Sequence, residues 1–397
     1  MRIMIATNAL IGHFRPLLPF AKAFHRAGHE LLVVAPASFG PTVRRAGLPH
    51  HPVPDVAPEV RSAAAARYST LPPRQAIEAL GADMMARLGP RAVLPAMLDI
   101  IRDWGPDVVV RETAELAAVL AAERADLPTV TVRIELASVI ERGVHYYADA
   151  IEEMRAAADI PADPDLERLR SLTYATLVPP SLEDPEDPGT PSTRRFRAPK
   201  RSSSQPPPWL PPGNDPLVYL SFGTVAGSDR YLGAIEALAT LPIRLAVGLG
   251  DTTDPAALGS MPPHVRVQRW MPQQQVMPHA AAMICHGGAG SVLTGLTWGV
   301  PMALLPIFGD QPDNAHRITT LGAGIALDGP TAIADLPAAI ELLLADRSYR
   351  TVAGHIAAEI ETLSPIDTAV DLLPRRPNKP RPAISPTTRA LGEATPG

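Results

Sequence analysis

Three glycines, a histidine and a serine fall within six residues, His286-Gly287-Gly288-Ala289-Gly290-Ser291, directly after the apolar run 282–285. A strand that ends in a glycine turn and opens a helix is an anion site. The first N–H groups of the helix lack intrahelical partners, the helix dipole is positive there, and glycine lets a ligand approach the backbone closely. His286 ends the strand, where its ring can donate a further hydrogen bond to a phosphate oxygen. A second apolar run, 301–306, precedes Asp310-Gln311-Pro312-Asp313-Asn314. These polar side chains fall past the carboxyl end of the next strand, the edge where ligands bind in open α/β sheets. The competing reading is a tight turn around a core histidine. An acid and amides converging with the glycines on one edge exceed what packing alone requires.

A second centre lies at Gly12-His13-Phe14-Arg15-Pro16. His13 is read as ending the first loop, immediately ahead of the first helix. An imidazole with an unperturbed pKa of about 6.5 suits a general base near neutral pH. Such a base needs a group that orients it and balances its positive charge. Glu112 follows the strand 107–110, with Glu115 a turn later. That strand is expected near the first one, which makes a His13–Glu112 pair geometrically feasible. On spacing alone His13 reads equally as an exposed N-cap histidine, and Glu112 as a surface glutamate.

Ser221-Phe222-Gly223-Thr224 ends another strand, so its hydroxyls and N–H groups can join His286 around an anion. In Arg269-Trp270-Met271-Pro272-Gln273, Trp270 either stacks on a planar base or packs in the core. Asp310 and Gln311 either take ligand hydroxyls or bond to loop backbone. Residues 48–75 and 135–150, with helices near 75–103, carry Tyr68, Met84, Met85, Met97, His145, Tyr146 and Tyr147. A cleft lined by Met and Tyr suits a large apolar ligand.

Positioning these residues requires two sets of alternating strands and helices. Strands are predicted at 2–7, 30–35, 107–110, 129–134 and 176–180. Helices are predicted at 16–28, 38–46, 75–103 with a break at Gly89-Pro90, 114–125 and 143–170. Residues 48–75 show no clear period and read as a loop region. Alternation restarts with strands at 217–222, 244–248, 265–269, 283–285 and 301–306. Helices follow at 231–239, 291–298, 313–321, 335–345 and 349–363. The expected organisation is α/β: two Rossmann-like βα domains with parallel sheets, 1–180 and 216–363, facing across a cleft. The segment 181–215, dense in Pro, Ser, Asp and Arg, reads as linker. A short closing helix at 364–373 and a disordered tail at 374–397 complete the chain.

A hydrophobic content of 46% describes a globular protein, and 397 residues accommodate two domains. A net charge of −5 argues against a nucleic-acid footprint. The single cysteine, Cys285, rules out an internal disulfide, fits a reducing cytoplasm and reads as buried and inert. Lysine occurs only at 22, 200 and 379. No Cys/His cluster has metal-ligand spacing. Residues 1–7 read as a first strand, not a signal peptide, and no run approaches the roughly 18 apolar residues of a membrane span. No G-x-G-x-x-G follows the first strand, which disfavours a nucleotide-dependent dehydrogenase.

From residue 1 to about 373 the chain resembles the inverting GT-B glycosyltransferases of family 1, in their bacterial natural-product (antibiotic) branch. The resemblance rests on GHFRP at 12–16, PDVVVRE at 106–112, PPSLEDP at 179–185, YLSFGT at 219–224, RWMPQ at 269–273, HGGAGS at 286–291 and DQPDNA at 310–315. It implies that His13 is the general base, oriented by Glu112 where the family more often has Asp. It implies that His286, Gly287, Gly288, Gly290 and Ser291, with Ser221, Gly223 and Thr224, hold a donor diphosphate. The loop at Trp270 and Met271 would hold the nucleotide base, and Asp310 and Gln311 the donor sugar. Ala9-Leu10 stand where the family usually has small residues, so Leu10 would give a bulkier acceptor loop, joined by Tyr68, Met84, His145 and Tyr146. The implied activity moves a (deoxy)sugar, with inversion, from a TDP-sugar, favoured over a UDP-sugar, to a hydroxyl of a polyketide-like or aromatic natural product. No metal and no cofactor beyond the nucleotide sugar are expected. Two small-molecule partners, a cytoplasmic location and a monomer or homodimer complete the expectation. The alternatives are an antibiotic-inactivating glucosyltransferase, or a non-catalytic nucleotide-sugar-binding partner of another transferase.

Overall fold

In the computed structural model, residues 1–200, 206–223, 227–250 and 253–374 are described, apart from the side chains of residues 73–74 and 144–146. The chain begins with β1 (Arg2–Ala6), α1 (Ile11–Arg26), β2 (Glu30–Pro36), α2 (Gly40–Arg45), β3 (His50–Val53), α3 (Pro58–Tyr68), α4 (Pro73–Asp83) and α5 (Gly89–Trp104). Next come β4 (Val108–Glu112), α6 (Leu116–Arg124), β5 (Thr129–Arg133), α7 (Ala137–Ala157), α8 (Glu167–Arg170), β6 (Thr173–Thr176) and β7 (Thr193–Arg197). A second series follows: β8 (Leu217–Ser221), α9 (Ser228–Leu238), β9 (Arg244–Gly248), β10 (Val265–Gln268), α10 (Gln273–Val276), β11 (Ala280–Cys285) and α11 (Ala289–Thr297). It continues with β12 (Met302–Leu304), α12 (Gln311–Leu321), β13 (Gly324–Ala326), α13 (Leu336–Ala345) and α14 (Arg347–Thr362), and the short β14 (Ser364–Pro365) closes the series.

Two compact units result. Among the described residues, the first comprises 1–177, 189–196 and 364–374; the second comprises 178–188 and 197–363. The first sheet has the order β14-β7-β6-β5-β4-β1-β2-β3, the second β10-β9-β8-β11-β12-β13. Strands β1 and β4 pair in parallel, as do β8 and β11. Parallel strands need crossover helices that cover both faces, so their sequences are near-continuous apolar runs. Met4 and Val109 accordingly pack on one face with Val93, Met97, Ala118 and Ile151. Ile3, Ile5 and Val110 pack on the other with Phe14, Leu17 and Phe20 of α1.

Several elements differ from their sequence-based bounds. The first helix opens at Ile11, so His13 lies within its first turn, and Pro16 and Pro19 lie inside it. Residues 48–75 contain β3 and α3. Val33 pairs with His50, so β3 is made by its neighbour, and α3 buries only Ala64, leaving no apolar stripe to read. Helix runs through Gly89-Pro90, because a π turn at Met84–Leu88 leads directly into α5. The predicted helix 143–170 is α7 followed by a separate α8. The predicted strand 176–180 sits earlier, as β6. Within the expected linker, β7 pairs in parallel with β6, Tyr174 opposite Thr193. The closing element is a 3₁₀ helix, Ile366–Leu372, that packs on α1 through Ile366 and Ala369, and Asp367 pairs with Arg26. The expected tail from residue 375 lies outside the described residues. Among the described residues no helix is long and apolar enough to cross a membrane.

Candidate active site

In the first unit, Ala6 at the end of β1 pairs with Arg111, one residue before the last of β4. The chain leaving β1 therefore passes beside Glu112. His13 Nδ1 lies 3.3 Å from Glu112 Oε1; the histidine side chain is 18% exposed and the glutamate side chain 0%. This burial settles the open reading of Glu112: it is no surface glutamate. An ionised carboxylate in such a place must be compensated. Glu112 Oε1 accepts from the Asn8 backbone N–H and side-chain Nδ2 at 3.3 and 2.9 Å, and Oε2 accepts from the Ala114 N–H at 2.6 Å. Burial pushes the carboxyl upward, but His13 and these N–H donors outweigh it, so its pKa lies below the ordinary glutamate value. Glu112 thus sets a buried negative charge against Nδ1 of the ring.

The turn that presents Glu112 is itself braced. Arg111 is buried, and its Nη1 donates to the backbone carbonyls of Glu112, Thr113 and Glu115 at 3.2, 2.7 and 3.2 Å. Glu115 caps α6, accepting from Ala118 N–H at 2.7 Å. Burial raises the Glu115 pKa to about 7. The folded state therefore binds this proton more tightly than the unfolded chain. The stability it contributes is fully present below about pH 4.5 and is lost as pH rises through about 7. Glu115→Gln is expected to flatten the fall in melting temperature between pH 5 and 8, read by circular dichroism. Curves parallel to wild type would mean that Glu115 ionises normally in the fold.

In the second unit, Cys285 pairs with Ser221 on one side and Leu304 on the other. The segments Phe222–Gly223, His286–Gly287 and Leu305–Pro306 consequently stand abreast at the carboxyl edge. Tyr231 pins the first of them: its hydroxyl accepts from Phe222 N–H at 2.9 Å and donates to Gly248 carbonyl at 3.2 Å. Ser221 is buried at the end of β8, next to this turn. The His286 ring lies between two glycines. A Cβ on Gly223 would come within 2.8 Å of it, and one on Gly288 within 2.5 Å. Burial pushes His286 down to about 4, opposed by a hydrogen bond to the Ser221 backbone, so the ring is neutral at pH 7 and carries a single N–H. Gly288 is the N-cap of α11 and offers no side-chain cap. The first N–H groups of α11, those of Ala289 and Gly290, are thereby left for a ligand, whereas Ser291 N–H already donates to Gly288 carbonyl at 2.9 Å.

Asn314 ties this turn to the next loop. It is 1% exposed, and its Nδ2 donates to Gly287 carbonyl at 2.9 Å and to Asp310 Oδ2 at 2.8 Å. Gln311 is also buried, with Oε1 accepting from the N–H groups of Ile307 and Phe308 at 2.8 and 3.2 Å, which leaves its Nε2 to donate. Trp270 is 51% exposed just past β10, so it is not core, whereas Met271 is buried beside Gly248. Around the first site, Leu10 is 48% exposed. Tyr68 is half-buried under the Arg67 guanidinium, and Met84 opens the π turn. His145 and Tyr146 fall on α7, but their side chains lie outside the described residues, as does Thr224 entirely. Among the described residues no three His, Cys, Asp or Glu side chains form a metal-binding group. Sequence reasoning passed over Asn8, Arg111, Tyr231 and the bridging role of Asn314. Only the last had a local signal, its i, i+4 spacing from Asp310 on a helix.

Residues 22–183 match the family described as erythromycin biosynthesis protein CIII-like, N-terminal domain, and residues 209–371 match UDP-glucoronosyl and UDP-glucosyl transferase. L-demethylnoviosyl transferase of Streptomyces niveus is 31% identical over 373 residues, covering 90% of this chain and 94% of that protein. The crystal structure of the glycosyltransferase SnogD from Streptomyces nogalater superposes with a TM-score of 0.74 at 26% identity, covering 94% of this chain and 98% of the other. The Streptomyces sp. SF2575 glycosyltransferase SsfS6, complexed with thymidine diphosphate, gives 0.72 at 27% identity, covering 94% and 99%. With two parallel α/β units, both halves matched and a relative of this identity along nearly its whole length, the chain belongs to the antibiotic glycosyltransferases of GT-B family 1.

Proposed function

We propose that the protein transfers a sugar, with inversion, from a nucleotide-diphosphate donor to a hydroxyl of a polyketide-like or aromatic natural product. The observation that carries this reading is the buried Glu112 carboxylate against His13 Nδ1. It holds the ring so that Nε2, on the far side, accepts the acceptor hydroxyl's proton. The oxygen then bonds to the anomeric carbon as the bond from that carbon to the diphosphate oxygen breaks. The sugar leaves one oxygen for another, and the nucleoside diphosphate departs with the electron pair. Charge growing on the leaving phosphates meets the His286 N–H and the α11 N-terminus, so turnover is proposed to need no divalent metal. Trp270 offers an exposed ring for the base, and Asp310 with Gln311 Nε2 offers polar groups for the sugar. The exposed Leu10, near His13 in sequence, favours an apolar acceptor.

A TDP donor is supported by the thymidine diphosphate complex of the similar Streptomyces enzyme. The test is ligand-induced thermal stabilisation with TDP and UDP, each with and without EDTA. A ligand at one hundred times its Kd adds about 2.7 kcal/mol of stability. The expected result is a larger shift with TDP that EDTA leaves intact. Absence of a shift with either nucleotide would remove the donor site, and a shift abolished by EDTA would overturn metal independence.

A further inference from the structure

Arg230 lies in the first turn of α9 and belongs to none of the motifs above. Its guanidinium carbon stands 4.9 Å from the centre of the Phe222 ring, and Nη2 donates to Leu305 carbonyl at 2.9 Å. Phe222 follows the last residue of β8 and Leu305 the last of β12, while β11 runs between those strands. A group touching both therefore spans the carboxyl end of β11, where His286 leaves the sheet. Arg230 Nε is shielded from solvent without a hydrogen-bond partner among the described residues. No carboxylate among them lies within ion-pair distance of it. A cation taken partly out of water with no counter-charge is unfavourable unless a ligand supplies the charge.

The charge balance at this edge points the same way. His286 is neutral at pH 7. Of the lysines among the described residues, Lys22 lies on α1 in the first unit and Lys200 pairs with Glu361. The other arginine at a strand end here, Arg269, stands 3.9 Å from Asp254. A nucleoside diphosphate arrives with two or more negative charges, and backbone dipoles alone would leave them largely uncompensated. A planar guanidinium with several unused N–H donors matches a pair of phosphate oxygens.

We propose that Arg230 is a binding residue for the donor diphosphate, supplying the full positive charge that His286 and the α11 N-terminus lack. This rests on the donor-site reading given above. The test is the TDP affinity of the purified full-length chain by isothermal titration calorimetry, for wild type, Arg230→Gln and Arg230→Met, with circular-dichroism melts alongside. Methionine keeps an apolar stem over Phe222, so it serves if the glutamine variant does not fold. The expected result is a Kd raised about 10- to 100-fold, the range of a charge-assisted hydrogen-bonded contact. The salt dependence of TDP binding should be weaker than in wild type. A folded variant that binds TDP as wild type does would overturn the role of Arg230 and leave the donor site standing. A wild-type protein that binds neither TDP nor UDP would overturn the donor reading and this inference with it.

Discussion

His13→Ala is expected to lower kcat by about 10²- to 10⁴-fold, the usual contribution of a positioned general base, with TDP affinity unchanged. The loss should be this large because the surroundings are built for one ring. Glu112 is wholly buried, its two oxygens are taken up by His13, Asn8 and Ala114, and Arg111 holds the turn that carries it. Alanine removes the proton acceptor and leaves a buried carboxylate short of one partner, so some loss of melting temperature accompanies the loss of rate. Donor binding should survive, since the groups assigned to it lie in the second unit. The measurement is single-turnover transfer to an accepted aromatic or polyketide-like substrate, with TDP titration on the same preparation. Full turnover in the variant would sink the assignment of His13 as base. Loss of TDP binding alongside the rate would show that the variant damages the fold.

The second large effect is expected at Gly287. Its φ is +85°, and a Cβ there would stand 2.9 Å from the Gln311 backbone carbonyl, an atom that cannot swing away. Gly287→Val adds a β-branched side chain in a left-handed conformation and forces the two loops apart. The Asn314 bridge between Gly287 carbonyl and Asp310 then breaks. Strain and overpacking of this kind cost about 2–5 kcal/mol together. We expect TDP affinity to fall at least about 100-fold and the melting temperature to drop. Gly290→Ala provides the contrast. Nothing lies within 4 Å of a Cβ at that position, which is helical, so the exchange should hold or raise the melting temperature, by up to about 1 kcal/mol of stability. Equal melting behaviour of the two variants would mean that the turn relaxes freely and that the close approach to Gln311 is unimportant.

Local patterns carried much of this architecture. The apolar runs of β1, β2, β4, β8 and β11 were readable because parallel strands are buried on both faces. The glycine turn after β11 was readable because its residues are adjacent in the chain. Elements whose existence depends on a neighbour were not. Strand β3, with His50 and His51, and strand β7, with Phe196 as its buried residue, form against strands already in place. Helix α3 lacks an apolar stripe. The linker reading failed at β7 because composition reports the cost of ordering a segment by itself, not the sheet edge it can join.

The sequence by itself determined the family, the two βα units and the residue types at both carboxyl edges, since each is written in contiguous motifs and periodicities. Only the tertiary structure decided what those residues are. It buried Glu112, supplied Asn8 as its partner 104 positions away, neutralised His286 by desolvation and tied Gly287 to Asn314. It also returned residues 364–374 to the first unit. Strand order and burial set these outcomes. They arise from the packing of distant segments, and no local window of sequence encodes which surfaces will lose their water.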